Sequence, residues 1–386
     1  MKELKIKSIV LIIIINITLT SCNSTSISQI NISTPIPKTS DYPKFSTVRS
    51  IIVGFLLVLI TILIILGNGL VCVTIIFEKH LQTPTNYFVF SLAMADASLG
   101  ILVLPFSIIS TLSVKPWFLG NVFCNIWISL DVMLCTTSIL TLFAISLDRW
   151  FAVTRPFIYL RLINHKRVFL FCTGFWIISI MFAFVPIFAG WNTEDGFVQN
   201  TREIDISNNV CIFEKNKVFV LIVSILTYFI PLAVMFALTM KVFKVTREQT
   251  KKIKKLEKMI TNVTKTREAE SIELKPLQIK RSKKNILSLS LRNIFKKNKL
   301  SQSNEHKATI TLGSVVIAFL ICWIPYFTVF TMRPFVSFNI NYHLEEFFLW
   351  LGYANSSLNP FLYGFYNSQF RAGFANVLIH RWRKRN

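Results

Sequence analysis

Two aspartates stand where a carboxylate is expensive. Asp96 closes the run Ser91-Leu-Ala-Met-Ala-Asp96, and Asp131 lies in Leu130-Asp-Val-Met-Leu, both within long apolar segments. A carboxylate at such a depth needs a cation, a proton or hydrogen-bond donors to be tolerated. No Lys or Arg in the apolar segments offers Asp131 an obvious partner. Aromatic residues crowd the segments that should face it: Trp127, Trp323, Tyr326, Phe327, Phe330, Trp350 and Tyr353. Any one of these is explained by packing alone. The set around one acid suits an organic ammonium ion, which prefers a carboxylate inside an aromatic cage. Asp131 therefore reads as the counter-ion of a small cationic ligand.

Asp96 reads as an ion or proton site. Ser138, Asn355, Ser356 and Asn359 can bring neutral oxygens to it, with Asp96 and Ser138 the first candidates for metal ligands. Sodium is the abundant external cation, and no other cofactor is expected. Asn68 reads instead as interhelical hydrogen-bonding glue. A third charged group, Arg149 in Asp148-Arg149-Trp150, lies 18 residues after Asp131. Eighteen residues are five helical turns, so the two share a face about 27 Å apart. Glu305 opens a later apolar segment at the same level as Arg149. A breakable Arg149–Glu305 pair would make a bistable element. Pro325 in Cys322-Trp-Ile-Pro325 removes a helix hydrogen bond and is expected to kink that segment, with Trp323 at the pivot.

The elements that must hold these residues are membrane helices. The chain has 386 residues, 53% hydrophobic and only 16% charged, yet a formal net charge of +23. Its mean hydropathy is +0.54. Seven apolar stretches are each long enough for the roughly 20 residues a membrane helix needs. They run about Ser50–Phe77, Asn86–Leu112, Val122–Val153, Arg167–Gly190, Lys217–Phe243, Lys307–Met332 and Leu344–Tyr366. The fold class is thus all-α: a seven-transmembrane helix bundle over 50–366. Residues 367–386 form a short cytoplasmic amphipathic helix 8 (Ser368–His380) and a tail. Residues 244–306 are a long basic third cytoplasmic loop whose two ends continue the flanking helices. Between Lys241 and Lys307 there are 20 Lys and Arg against 6 Glu. That excess suits anionic lipid at a cytoplasmic face rather than nucleic acid.

The short loops set the orientation. Arg155, Arg161, Lys166 and Arg167 separate spans three and four, whereas Glu194, Asp195, Glu203 and Asp205 lie between four and five. The N-terminus is then extracellular. Residues 1–22, with Lys2, Lys5 and Lys7 before Ile9–Ile15, read as a signal peptide. Residues 23–49 read as an extracellular arm with glycosylation acceptors at Asn23 and Asn31, tripeptides that also arise by chance in such an Asn- and Ser-rich stretch. Of seven cysteines only Cys124 and Cys211 fall at the outer face of the mature bundle, where an oxidising exterior should pair them. A transporter would show internal repeats and broken helices, and none is apparent. No nucleophile–base pair suggests an enzyme.

Asn68, Leu92-Ala-Met-Ala-Asp96, Asp148-Arg-Trp, Trp176, Pro231, Cys322-Trp-Ile-Pro325 and Asn359-Pro-Phe-Leu-Tyr363 resemble the motif set of rhodopsin-like (class A) G-protein-coupled receptors. The resemblance covers roughly Ser50 to Leu378 apart from the long loop. Asp131 and Tyr353 match the amine-binding pair of aminergic receptors. Within that group Phe123-Cys-Asn-Ile-Trp-Ile-Ser-Leu-Asp-Val-Met-Leu-Cys135, Glu305-His-Lys-Ala-Thr309 and Leu349-Trp-Leu-Gly-Tyr-Ala-Asn-Ser356 are similar to the histamine type-2 group. The resemblance implies a ligand set that adds Cys135, Val223, Ser224 and Thr227 to Asp131 and the aromatics. It implies a switch of Asp148, Arg149, Glu305 and Tyr363, and a plasma-membrane receptor for a biogenic amine. Its implied partners are a heterotrimeric G protein of the stimulatory, cyclic-AMP-raising kind, arrestin and receptor kinases. Three departures stand out. Val223 replaces a second aspartate, which leaves octopamine, tyramine, dopamine and serotonin open beside histamine. Trp150 replaces a tyrosine, and no Cys follows Phe370 for a palmitoyl anchor. Span seven has no Lys, which excludes a retinal Schiff base.

Overall fold

A computed structural model of the chain describes residues 47–112, 117, 119–193, 211, 216–273, 311, 313–333, 335 and 342–380. The expected signal peptide over 1–22, the expected arm with Asn23 and Asn31, Glu305 and the last six residues lie outside the described residues. The described part is helical, and no strand is found in it. Six helices are long and apolar enough to cross a membrane. The helix Tyr342–Tyr366 has the length for a seventh span, with 25 residues. Glu345, Glu346, Asn355, Ser356 and Asn359 dilute its apolar character.

The first span is Thr47–Phe77. The second is Pro84–Leu102, capped at its start by the Thr83 side chain, which accepts from the Asn86 amide. Sequence alone suggested one helix to Leu112. The structure breaks at Val103 and resumes as Leu104–Leu112, because Pro105 has no N–H to donate. The third span, Gly120–Thr154, is one unbroken helix of 35 residues. It packs on the second, fourth and fifth. Its most apolar stretch is 67% buried, against 17% for the fourth span, His165–Phe188. The third span is therefore the axis of the bundle and the fourth a peripheral stave, so polar residues on the third reach the interior.

The fifth span starts as Lys217–Val223, passes through a π turn at Ser224–Phe229, and continues as one helix from Ile230 to Glu273. The basic loop therefore begins as a helical extension of span five. The sixth span is Gly313–Met332. Glycines permit the closest helix approaches. A Cβ on Gly352 would lie 2.7 Å from Cε3 of Trp323, and one on Gly67 would lie 2.9 Å from Cγ of Pro360. Beyond Asn367, whose side chain caps the Gln369 amide, a short helix Ser368–Ala375 follows. Phe370 is buried against Tyr363, with ring centroids 5.3 Å apart.

Candidate functional site

The bundle holds a cavity of about 250 Å³ between spans three, five, six and seven and the helix Leu104–Leu112 that continues span two. Asp131 lies on its wall with its carboxylate already oriented. The Tyr353 hydroxyl donates to Oδ2 at 3.0 Å, and the Cys135 thiol, one turn along, approaches Oδ1 at 3.6 Å. Trp127, Trp323, Tyr326, Phe327 and Phe330 complete an aromatic wall. Their rings hold one another: Trp323 meets Tyr353 edge-on at 6.0 Å and Phe327 at 5.4 Å, and Tyr326 stacks on Phe330 at 5.7 Å. A cation at Asp131 would exchange its water for one carboxylate and several π faces, which is the arrangement that favours an ammonium ion over a neutral group.

Span five contributes Val223 and Thr227, one turn apart. The Thr227 hydroxyl gives its proton to the Val223 carbonyl at 2.8 Å. Its oxygen is therefore an acceptor for a ligand N–H or O–H. Ser224, expected beside them, does not line the cavity. It is wholly buried, and the π turn that begins there swings it off the cavity face. Trp350 is also behind the wall rather than in it. Its indole N–H donates to Thr111 Oγ1 at 3.1 Å, and the Thr111 hydroxyl donates to Glu346 Oε2 at 2.8 Å. Trp350 meets Tyr353 edge-on at 5.5 Å and so helps fix the tyrosine that holds Asp131.

The structure adds residues that sequence reasoning missed. Ser107, Ser110, Thr111, Thr136 and Glu346 line the same cavity. Glu346 precedes Tyr353 by seven residues, two helical turns on one face. That spacing was a usable signal. Cys211 also lines the cavity and is bonded to Cys124 with Cα atoms 5.8 Å apart. This ties the segment before span five to the start of span three.

Below the cavity a small void of about 10 Å³ surrounds Asp96 and shares Cys135, Ile139, Trp323 and Phe327 with it. Ser138 and Ser356 donate to Asp96 Oδ1 at 3.2 and 2.9 Å, and Asn359 Nδ2 donates to Oδ2 at 2.7 Å. Oδ1 of both Asn355 and Asn359 is buried with no hydrogen-bond partner. Buried carbonyl oxygens of that kind call for a cation or a proton donor. Two such carbonyls, two hydroxyls and one carboxylate form an all-oxygen donor set, which suits a hard ion. The void has room for about one water-sized occupant.

At the end of the third span far from Cys124, Arg149 turns to its neighbour Asp148, with Nε 2.9 Å from Oδ2 and Nη2 on the same oxygen. Arg149 Nη2 also donates to Thr85 Oγ1 at 2.7 Å, and Tyr159 donates to Asp148 Oδ1 at 3.0 Å. Tyr159 lies in the short helix Pro156–Leu162 after span three. Burial, and then the Asp148 carboxylate, push its phenol above the ordinary range, so it stays a donor at neutral pH. The expected partner Glu305 is outside the described residues. Tyr363 is buried on Phe370 rather than joined to this network.

Comparison with known proteins matches residues 67–363 to the family 7 transmembrane receptor (rhodopsin family). The chain belongs to the rhodopsin family of seven-transmembrane receptors, a family of receptors and not of enzymes. The histamine H2 receptor of Homo sapiens is 38% identical over 342 residues, covering 88% of this chain and 83% of that one. The 5-hydroxytryptamine receptor 7 of Xenopus laevis is 33% identical over 347 residues, 86% of this chain and 78% of its own. The octopamine receptor beta-2R of Chilo suppressalis is 33% identical over 324 residues, 83% and 78%.

Proposed function

We propose that this receptor binds a biogenic amine from outside the cell and passes the signal to a heterotrimeric G protein. The observation that carries the reading is the Asp131 carboxylate, held by Tyr353 inside an aromatic cavity. The similar proteins named for histamine, 5-hydroxytryptamine and octopamine support the ligand class. Two features support placing the N-terminus outside, at the plasma membrane. The Cys124–Cys211 disulfide marks one end of the bundle as oxidised. The basic residues collect at the other end. Similarity to the histamine H2 receptor supports the stimulatory G protein and cyclic AMP as the output.

A histamine-like ligand is the first reading. A second monoamine reading has an observation of its own. Val223 puts an apolar wall at span five, and Thr227 beside it is the acceptor that faces the ligand. A phenol or indole N–H or O–H suits that acceptor. Around Asp96 the all-oxygen set supports a sodium ion held by Asp96, Ser138, Ser356, Asn355 and Asn359. The bound ion would supply charge compensation for the buried carboxylate. Competition binding on purified receptor tests the main reading: a cationic amine should displace a labelled amine, and its uncharged isostere should not. Equal displacement by both would overturn it.

A further inference from the structure

The amine cavity is lined by two carboxylates. Asp131 belongs to span three, and Glu346 stands near the start of span seven. Among the described residues that line the cavity there is no Lys, Arg or His. Glu346 and its neighbour Glu345 point different ways, since successive residues of a helix are about 100° apart. Glu345 pairs with the exposed Arg333, Nη1 to Oε1 at 2.8 Å, and does not line the cavity. Glu346 does.

Glu346 is held against the cavity wall. It stands one turn before Trp350, and both grip Thr111 of the helix Leu104–Leu112. The Thr111 hydroxyl accepts the Trp350 indole N–H at 3.1 Å and gives its own proton to Glu346 Oε2 at 2.8 Å. A long carboxylate side chain ordinarily samples several rotamers. The Thr111 bond removes part of that freedom in advance, so less is lost when a ligand binds. Thr111 needs only an acceptor oxygen, which a glutamine would supply, so this bond does not account for the negative charge.

Span seven sets the spacing of the two acids. Tyr353, whose hydroxyl holds Asp131 at 3.0 Å, follows Glu346 by seven residues on the same face, a rise of about 10 Å. A cation in contact with each acid leaves between them the length of a para-substituted ring with a short arm at each end. We propose that Glu346 is a second anchor of the ligand site, and that the receptor prefers an amine carrying a second cationic group, one ammonium at Asp131 and the other at Glu346. The inference deepens the biogenic-amine reading and rests on it. The histamine type-2 group has its second aspartate on span five, where this chain has Val223. Here the second charge is read from span seven instead. Glu346 acting only to draw cations toward the cavity would be a different role, because steering favours every cation alike, whereas an anchor favours the ligand that reaches it.

The test is thermal unfolding of purified full-length receptor in phosphatidylcholine nanodiscs with para-(aminomethyl)phenethylamine, a dication, or para-(hydroxymethyl)phenethylamine. The second compound keeps the ring and the first ammonium and carries a hydroxyl in place of the other. Binding to the folded state raises the midpoint with ligand concentration, so affinity is read without a labelled ligand. In the wild type the dication should bind about five- to thirtyfold more tightly, between the values of an exposed and a buried ion pair. In Glu346→Gln, which keeps an acceptor for Thr111, that preference should vanish while the monocation binds as in the wild type. Glu346→Ala is a second variant with the same expectation, and Asp131→Asn should weaken both compounds. No preference in the wild type, or one that survives in both Glu346 variants, overturns the proposal and leaves the amine reading standing. So does an equal loss for the two compounds in Glu346→Gln, the mark of steering or of a purely structural role. Stabilisation of the wild type by neither compound overturns the amine reading, and the second anchor falls with it.

Discussion

Asp131→Asn is the sharpest perturbation of the proposed site. The substitution keeps the shape of the side chain and its bond with Tyr353, and removes only the charge. In the structure Oδ2 takes the Tyr353 hydroxyl at 3.0 Å and Oδ1 faces the Cys135 thiol at 3.6 Å. Neither partner is a cation, so the carboxylate's charge is answered by the ligand. Removing one member of a buried, hydrogen-bonded charge pair costs about 2–5 kcal/mol. At 1.4 kcal/mol per tenfold, that is a loss of about 30-fold to several thousand-fold in amine affinity. The assay is saturation and competition binding on intact cells, with surface receptor counted by an antibody to an N-terminal tag. Surface number should stay near wild type because a neutral amide is easier to bury than a carboxylate. The ligand's uncharged hydroxyl isostere should lose nothing. Amine affinity in Asp131→Asn within threefold of wild type, at normal surface number, would refute the reasoning.

Other consequences follow from the same geometry. Thr227→Val should weaken amines that carry a far-end N–H or O–H by about 0.5–1.5 kcal/mol, the value of one hydrogen bond, while Ser224→Ala leaves their affinity unchanged; competition binding of matched ligands with and without that donor reads both. Replacing sodium chloride by potassium chloride should shift agonist affinity in the wild type and not in Asp96→Asn, as measured by agonist competition curves at fixed ionic strength. Tyr159→Phe removes the donor to Asp148 Oδ1 and should raise basal cyclic AMP without ligand, whereas a basal level equal to wild type at equal expression would argue against a restraining role. Val223→Asp should shift ligand ranking toward histamine, checked on an amine panel by cyclic AMP potency.

The helices were legible because apolar length is a strong signal, and the intramembrane acids were legible because burial makes them costly. Tyr353 bonds Asp131, the pair that the family resemblance implied, and Ser138, Ser356 and Asn359 bond Asp96, for which they were the candidate neutral partners. What sequence could not show depends on local rotation. The π turn at Ser224–Phe229 re-indexes span five, so Val223 and Thr227 face inward and Ser224 does not. Pro231, two residues past the turn, has no N–H to donate back into it and hints at an irregularity there, but it does not say which way the helix rotates. Trp350 belongs to the aromatic set by position, yet its indole is spent on Thr111. Thr111 and Glu346 were overlooked because polar residues near a helix end are ordinarily solvated. Only the break at Val103 and the packing of span seven turn them toward the cavity.

The most direct test of the central claim is a cyclic AMP reporter in cells expressing the full chain, exposed to histamine, octopamine, tyramine, dopamine and serotonin in turn. The account predicts a saturable rise for at least one of them that untransfected cells and cells expressing Asp131→Asn lack. A silent panel, with the receptor demonstrably at the surface and a control stimulatory receptor responding in the same cells, would contradict it.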